Sequence, residues 1–250
     1  MAEIKVDESK NKESKRILKV TFNGKELLEG RVFDTTSAEI AKQNNMFDEK
    51  RKYGPLSIIT GEHELLPLVE KELLTMKVGE VRKVKMTPKE SFGERNNDLV
   101  RVTPIKIFHD QKINPIPGLV ISVGNAYGRV QSVSGGRVRV DFNHALAGRE
   151  IEYEVKIENE ITDKKEIAEI IFEKYYSFVP GSKKEIKENK LIVELTNDTL
   201  KNLEKINASI TRLGKEFGIE LEFKPLPEKK SVEKEIIDET KNQKVDTKKE

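Results

Sequence analysis

Residues 143–157 read NHALAGREIEYEVKI, and the second half of that stretch decides the architecture. Ile151, Tyr153, Val155 and Ile157 alternate with charged residues. A period of two is the pattern of a strand with one face in a core and the other in water. The strand, Glu150 to Ile161, follows a long segment of different texture, so it is expected to return the chain to a domain begun earlier.

That segment runs from about Asn96 to Asn143. Runs rich in Val and Ile at 119–123, 128–133 and 137–142 are separated by Asn-Pro-Ile-Pro-Gly, Gly-Asn-Ala-Tyr-Gly and Ser-Gly-Gly. Short β-branched runs between turn signals predict a small all-β unit. It is too long and too apolar for a plain loop in a compact domain, so 96–143 reads as an inserted domain. Upstream, Ile17 to Phe22, Gly30 to Phe33, Pro55 to Thr60 and Glu80 to Met86 read as strands. Residues 35–52 read as a loop with one turn of helix. Leu65, Leu66, Val69, Leu73 and Met76 predict one face of a short helix that stops at Gly79.

Downstream, Ile167, Ile170, Ile171 and Tyr175 share a helical face. A strand at 190–195, a helix capped by Asn197 or Asp198 and closed by Gly218, and a strand at 219–223 form a βαβ unit. Its strands run parallel if they share a sheet. Such a unit cannot bury both faces alone, so it is expected to pack on a neighbour or dimerise. The first sixteen residues are polar and read as a flexible N-terminus. The Lys/Glu-rich residues 227–250 read as a disordered tail.

Composition narrows the chemistry. The absence of cysteine removes disulfides, thiol catalysis and cysteine metal sites. His63, His109 and His144 are dispersed, so no metal site is expected. Lys plus Arg at 46 nearly balances Asp plus Glu at 44, which gives no argument for specific nucleic-acid binding. No apolar run reaches membrane-spanning length, and the N-terminal residues lack the apolar core of a signal peptide. The sequence carries no GxSxG, Walker loop or HExxH.

Several ordered blocks resemble the FKBP-type peptidyl-prolyl cis-trans isomerases. Val20-Thr21-Phe22-Asn23-Gly24 followed by Gly30-Arg31-Val32-Phe33-Asp34 resembles the family's opening strands. PLSIITGEHELLPLVEKELLTMKVGE resembles its strand–helix segment, and KMTPKESFGE its P-x-x-A-Y-G-E turn. NHALAGREIEYEVKI resembles the signature of the SlyD-like branch, and the C-terminal extension resembles a long archaeal subgroup. The resemblance implies an α+β fold: an antiparallel half-barrel sheet wrapped on a short helix over 17–95 and 144–161, the all-β domain at 96–143, and a C-terminal βαβ domain at 162–226.

It also implies a proline pocket. Phe33, Asp34, Leu66, Phe92 and Tyr153 are the expected catalytic residues, with the Leu66 amide holding a substrate carbonyl. Phe22, Leu56, Ile58, Leu65 and Val69 complete the expected lining. Phe22 and Phe92 lack hydroxyls that the family commonly carries there, and Val69 and Leu56 reduce its aromatic content. In the inserted domain, Ile105, Ile107, Phe108, Ile113, Ile116, Val120, Ile121 and Tyr127 are the expected surface for unfolded chains. Asp34 also reads as a turn carboxylate, and His144 as a structural hydrogen-bonding group.

The expected protein is therefore a cytoplasmic prolyl isomerase and chaperone. It uses no cofactor and acts on unfolded or proline-containing polypeptides, and its C-terminal domain either packs on a neighbour or forms a homodimer. Two other readings are a holdase with a decayed pocket and an assembly or ribosome-associated factor acting through the βαβ unit.

Overall fold

The computed structural model describes residues 14–124 and 126–226. The expected tail at 227–250 and most of the expected flexible N-terminus lie outside the described residues. The last two residues of that N-terminus, Lys15 and Arg16, are anchored rather than loose. Lys15 pairs with Glu62 at 2.5 Å and Arg16 with Glu160 at 2.7 Å. The described residues fall into two compact units that part between Ile161 and Thr162.

In the first unit, strands β1 (Ile17–Glu26), β2 (Val32–Thr35), β3 (Leu56–Ile59) and β4 (Val81–Met86) precede a second group, β5 (Val100–Pro104), β6 (Val120–Val123), β7 (Ala126–Ser134) and β8 (Arg137–Asp141). Strand β9 (Ile151–Glu160) then rejoins the first group. The first sheet has the order β2-β1-β9-β4, with β3 also paired to β1, and every pairing is antiparallel. Helix α1 (Ala38–Gln43) follows β2, and α2 (Pro67–Thr75) packs on the sheet. Leu18, Val20, Val155 and Ile157 from the strands enclose Val69 and Leu73 from α2, all fully buried. This is an α+β arrangement.

Helix α2 starts two residues later than the apolar spacing predicts. Pro67 takes its first position, where a missing N–H costs nothing, and Leu66 becomes the N-cap. Leu65 and Leu66 therefore stand ahead of the helix, on the loop that enters it.

The second group forms its own sheet, β5-β8-β7-β6. It is not all-β as expected: α3 (Ile105–Asp110) follows β5 and brings Phe108 into the core with Ile121, Val130, Val138 and Val140. A Cβ on Gly128 would lie 2.6 Å from Val140 Cγ1, so β7 crosses this small core only with glycine there. Asn96 and Asn143 close the base of the unit: Asn96 N donates to Asn143 Oδ1 at 2.8 Å, and Asn143 Nδ2 to Asn96 O at 2.8 Å.

The C-terminal unit contains α4 (Lys164–Tyr175), β10 (Lys183–Lys187), β11 (Lys190–Leu195), α5 (Asn197–Asn202), α6 (Glu204–Glu216) and β12 (Glu220–Pro225). Strands β11 and β12 pair in parallel, and β10 adds an antiparallel edge. The intervening helix breaks at Leu203 into α5 and α6, and Thr196, rather than Asn197 or Asp198, caps it.

Candidate functional site

The site begins as one row of the first sheet. Across β2, β1 and β9, Asp34, Gly24 and Tyr153 stand in register. The β1–β2 ladder shifts between Gly24 and Lys25, so that Phe33 is the extra residue of a bulge. A bulge re-aims side chains, and this one lets Phe33 join Asp34 at the row. Gly24 leaves the space that the rings occupy: a Cβ there would lie 2.9 Å from Phe33 Cζ and 3.0 Å from Tyr153 Cζ.

With that space open, the Tyr153 hydroxyl donates to Asp34 Oδ2 at 3.4 Å. Arg51 Nη2, from the loop after α1, holds Oδ1 of the same carboxylate at 2.9 Å. Burial, reinforced by the Asp34 charge and hydrogen bond, pushes the Tyr153 hydroxyl well above the ordinary tyrosine range. It therefore remains a donor at neutral pH. Phe33 packs edge-on against Tyr153 and Phe92, with ring centroids at 5.5 and 5.8 Å.

The opposite wall is the loop into α2. Glu70, buried in the first turn of that helix, accepts from the amides of Gly61 at 3.2 Å and Leu65 at 3.1 Å. This holds His63 in the left-handed region, at φ 57°. Among the described residues, the Leu66 N–H has no acceptor in the protein.

These walls enclose a cavity of about 890 Å³. Phe33, Asp34, Leu65, Leu66, Phe92 and Tyr153 line it, so six of the expected pocket residues come together. The other four do not. Phe22, Ile58 and Val69 are buried in the core behind the cavity, and Leu56 packs against that core. Their role is to support the wall: Phe22, for example, lies 5.6 Å from Tyr153 between ring centroids. Met46, His63, Pro67, His144 and Leu146 also line the cavity. His144 stacks on Phe92 at 4.4 Å and accepts from the Leu146 amide through Nδ1 at 3.2 Å.

In the four-stranded unit, the expected client-binding residues divide. Phe108 and Ile121 are core, and Ile105 and Ile113 pack against that core, because so small a sheet needs them to close its interior. Ile107, Ile116, Val120 and Tyr127 are exposed, and so are Val102 and Val123. Val102 and Val123 lie on β5 and β6, the two outer strands of the sheet. Strand alternation gave no signal for either, since Val123 shares the parity of buried Ile121 on β6 and Val102 that of half-buried Val100 on β5.

A family model described as FKBP-type peptidyl-prolyl cis-trans isomerase matches residues 8–108, and one described as FKBP26, IF domain, matches residues 101–146. The "Short-type peptidyl-prolyl cis-trans isomerase" of Methanocaldococcus jannaschii is 32% identical over 130 residues, which are 52% of this chain and 83% of that protein. The chain belongs to the FKBP-type peptidyl-prolyl cis-trans isomerase family. This FKBP-type chain is also 26% identical over 144 residues to SlyD of Haemophilus influenzae, covering 52% of the chain and 70% of SlyD. It is 25% identical over 128 residues to the FKBP-type 16 kDa isomerase of Escherichia coli, covering 50% and 80%. Strand β9, which brings Tyr153 to the site, lies beyond both matched ranges of the family models. No helix among the described residues is long and apolar enough to cross a membrane.

Proposed function

We propose that this isomerase rotates X-Pro bonds of folding polypeptides in the cavity beside Asp34, and that the 96–143 unit holds their unfolded segments. The observation that carries the first part is the convergence of Phe33, Leu66, Phe92 and Tyr153 on one apolar cavity with a fixed carboxylate at its edge.

Amide resonance gives the peptide bond a rotation barrier of about 18–20 kcal/mol. X-Pro bonds populate both isomers yet exchange over tens of seconds or longer. Rotation breaks the resonance, so the twisted amide is less charge-separated than the planar one. Water therefore stabilises the twisted form less, relative to the ground state, and an apolar cavity favours it by comparison. Phe33, Phe92, Tyr153 and the Leu66 side chain enclose the pyrrolidine ring. The Leu66 amide donates to a substrate carbonyl, which orients the chain. Asp34, fixed by Tyr153 and Arg51, supplies a negative edge beside the rotating bond. A million-fold acceleration requires about 8 kcal/mol of differential stabilisation, and desolvation with one or two hydrogen bonds supplies a large share.

The test is an isomerase assay on an Ala-Leu-Pro-Phe peptide. Wild-type protein should accelerate exchange. Asp34→Ala and Tyr153→Ala with unchanged rates would remove both residues from the mechanism.

For the 96–143 unit, the supporting observation is the exposed set Ile107, Ile116, Val120, Val123 and Tyr127. Exposed apolar surface near an open sheet edge is a docking site for extended chain. Removing residues 97–142 while keeping the Asn96–Asn143 clasp should abolish suppression of client aggregation and leave tetrapeptide isomerisation largely intact. A cytoplasmic setting and a homodimer through the C-terminal unit complete the proposal. Phe178 and Ile206 expose apolar side chains there, and light scattering on the full chain tests the dimer.

A further inference from the structure

We propose that this protein selects clients whose proline is flanked by carboxylate side chains, which dock in an arginine-lined cleft that shares a wall with the proline cavity. The inference rests on the isomerase reading of that cavity.

The cleft encloses about 860 Å³ on the side of the 96–143 unit. Arg31, His144 and Ala145 line both it and the proline cavity. An extended polypeptide advances about 3.3–3.6 Å per residue, so a segment with proline in one hollow continues into the other within a few residues. Four arginines face the cleft: Arg31, Arg95, Arg129 and Arg149. Two are already matched. Arg95 pairs with Asp141 at 2.5 Å, and Arg149 with Glu29 at 3.1 Å and Glu26 at 3.4 Å. Among the described residues, Arg31 and Arg129 have no carboxylate partner, and Arg129 makes only a 3.3 Å bond to the Gly118 carbonyl.

A guanidinium offers five N–H donors in a planar fork that fits a carboxylate. Two such forks stand without a carboxylate in a cleft that is also lined by Tyr127, which is 73% exposed, and Val120, which is 52% exposed. The cleft thus offers charge to carboxylates and apolar surface to the side chains between them. The 96–143 unit as a whole carries six Lys or Arg against three Asp or Glu, whereas the chain is close to neutral at +2. A client segment is favoured over nucleic acid because the cleft shares Arg31, His144 and Ala145 with the proline cavity and has only two arginines without a carboxylate, not a broad basic face.

The test measures binding of fluorescein-labelled peptides to the full chain by anisotropy, with isomerase assays in parallel. The peptides carry a central Leu-Pro with Glu, Gln or Lys at flanking positions on either side. The expected order is Glu over Gln over Lys, by about threefold for each carboxylate engaged, with the margin shrinking at high salt. Arg31→Gln with Arg129→Gln should bring the Glu and Gln peptides to equal affinity. Arg129→Glu should invert the order toward the Lys peptide, which identifies the site independently of any general loss of binding. Equal affinity of wild-type protein for Glu and Gln peptides overturns the inference. So does a Glu preference that survives the double substitution, or single-stranded oligouridylate that binds tighter than the Glu peptide through the same arginines. A Glu preference kept without any acceleration of isomerisation supports the acidic selectivity of the cleft and sinks the isomerase reading instead.

Discussion

The Tyr153 hydroxyl reaches Asp34 Oδ2 at 3.4 Å by crossing over Gly24, the residue that stands between them in the sheet. The family resemblance places a hydroxyl for this carboxylate at the Phe22 position. Here Phe22 has none, and the adjacent strand delivers it. Tyr153→Phe should therefore lower kcat/KM about two- to tenfold, the worth of one hydrogen bond, while Arg51 keeps the carboxylate in place. Adding Phe22→Tyr to that variant should restore much of the loss, since the two rings are 5.6 Å apart. No recovery would mean that the hydroxyl acts only from β9.

The same hydroxyl has an alkaline signature. Its folded pKa is raised, through burial first and the Asp34 charge second. The stability it contributes is fully present below the ordinary tyrosine value of about 10 and is lost as pH rises through the folded value. Tyr176 is raised by burial too. Both hydroxyls should resist ionisation in an ultraviolet titration until the protein unfolds. Tyr153→Phe should remove one of the two late transitions.

Gly24→Ala tests the row itself. A Cβ at 2.9–3.0 Å from Phe33 and Tyr153 forces both rings outward. The expected cost is about 1–3 kcal/mol of stability from overpacking, with isomerase activity falling further than stability does. Urea unfolding beside the peptide assay separates the two effects. Full activity in this variant would show that the rings are not held where the row puts them.

Much of this architecture was readable in the sequence, for a physical reason. Ile151 to Ile157 alternate because β9 is a central strand with one face on the core, and burial imposes its period on the residues. The converging pocket residues were readable only as ordered blocks, because neighbours across β2, β1 and β9 are far apart in the chain. Strand β10, Lys183–Lys187, was not readable: it has one apolar residue and owes its form to pairing with β11. Helix α3 was hidden in a β-branched run, and only packing shows that Phe108 turns inward. Arg51 and Glu70 were invisible for another reason. A charged residue has no period, and its partner is set by the fold.

Glu70→Gln addresses the far wall. The carboxylate accepts from both Gly61 and Leu65, and an amide side chain can accept on one side only. Losing a bond to a buried charge costs about 1.5–3 kcal/mol and should loosen the loop that presents Leu66. The peptide KM should rise about three- to tenfold with a smaller change in kcat, since the loop orients substrate rather than touching the rotating bond. A fall in kcat alone would contradict that division.

Arg16 has two roles that pH separates. Its guanidinium pairs with Glu160 at 2.7 Å and also donates to the Leu73 and Met76 carbonyls, at 3.2 and 3.0 Å, at the end of α2. Such carbonyls are left unpaired by the helix, and a cation there opposes its dipole. The hydrogen bond from Arg16 holds the Glu160 carboxyl below the usual range, its charge adding to that and burial opposing it. The stability from Glu160 is therefore present above the unfolded value of about 4.3 and lost as pH falls through the folded one. Glu160→Gln should cost about 0.2–1 kcal/mol at pH 7, and the difference from wild type should vanish in acid. Arg16→Met should cost more at pH 7 and keep part of its penalty in acid, because bonds from guanidinium to carbonyl do not titrate there. Urea midpoints of the three proteins from pH 7 down to pH 3 decide the matter. An Arg16→Met penalty that disappears together with that of Glu160→Gln would assign all of it to the ion pair and none to the end of α2.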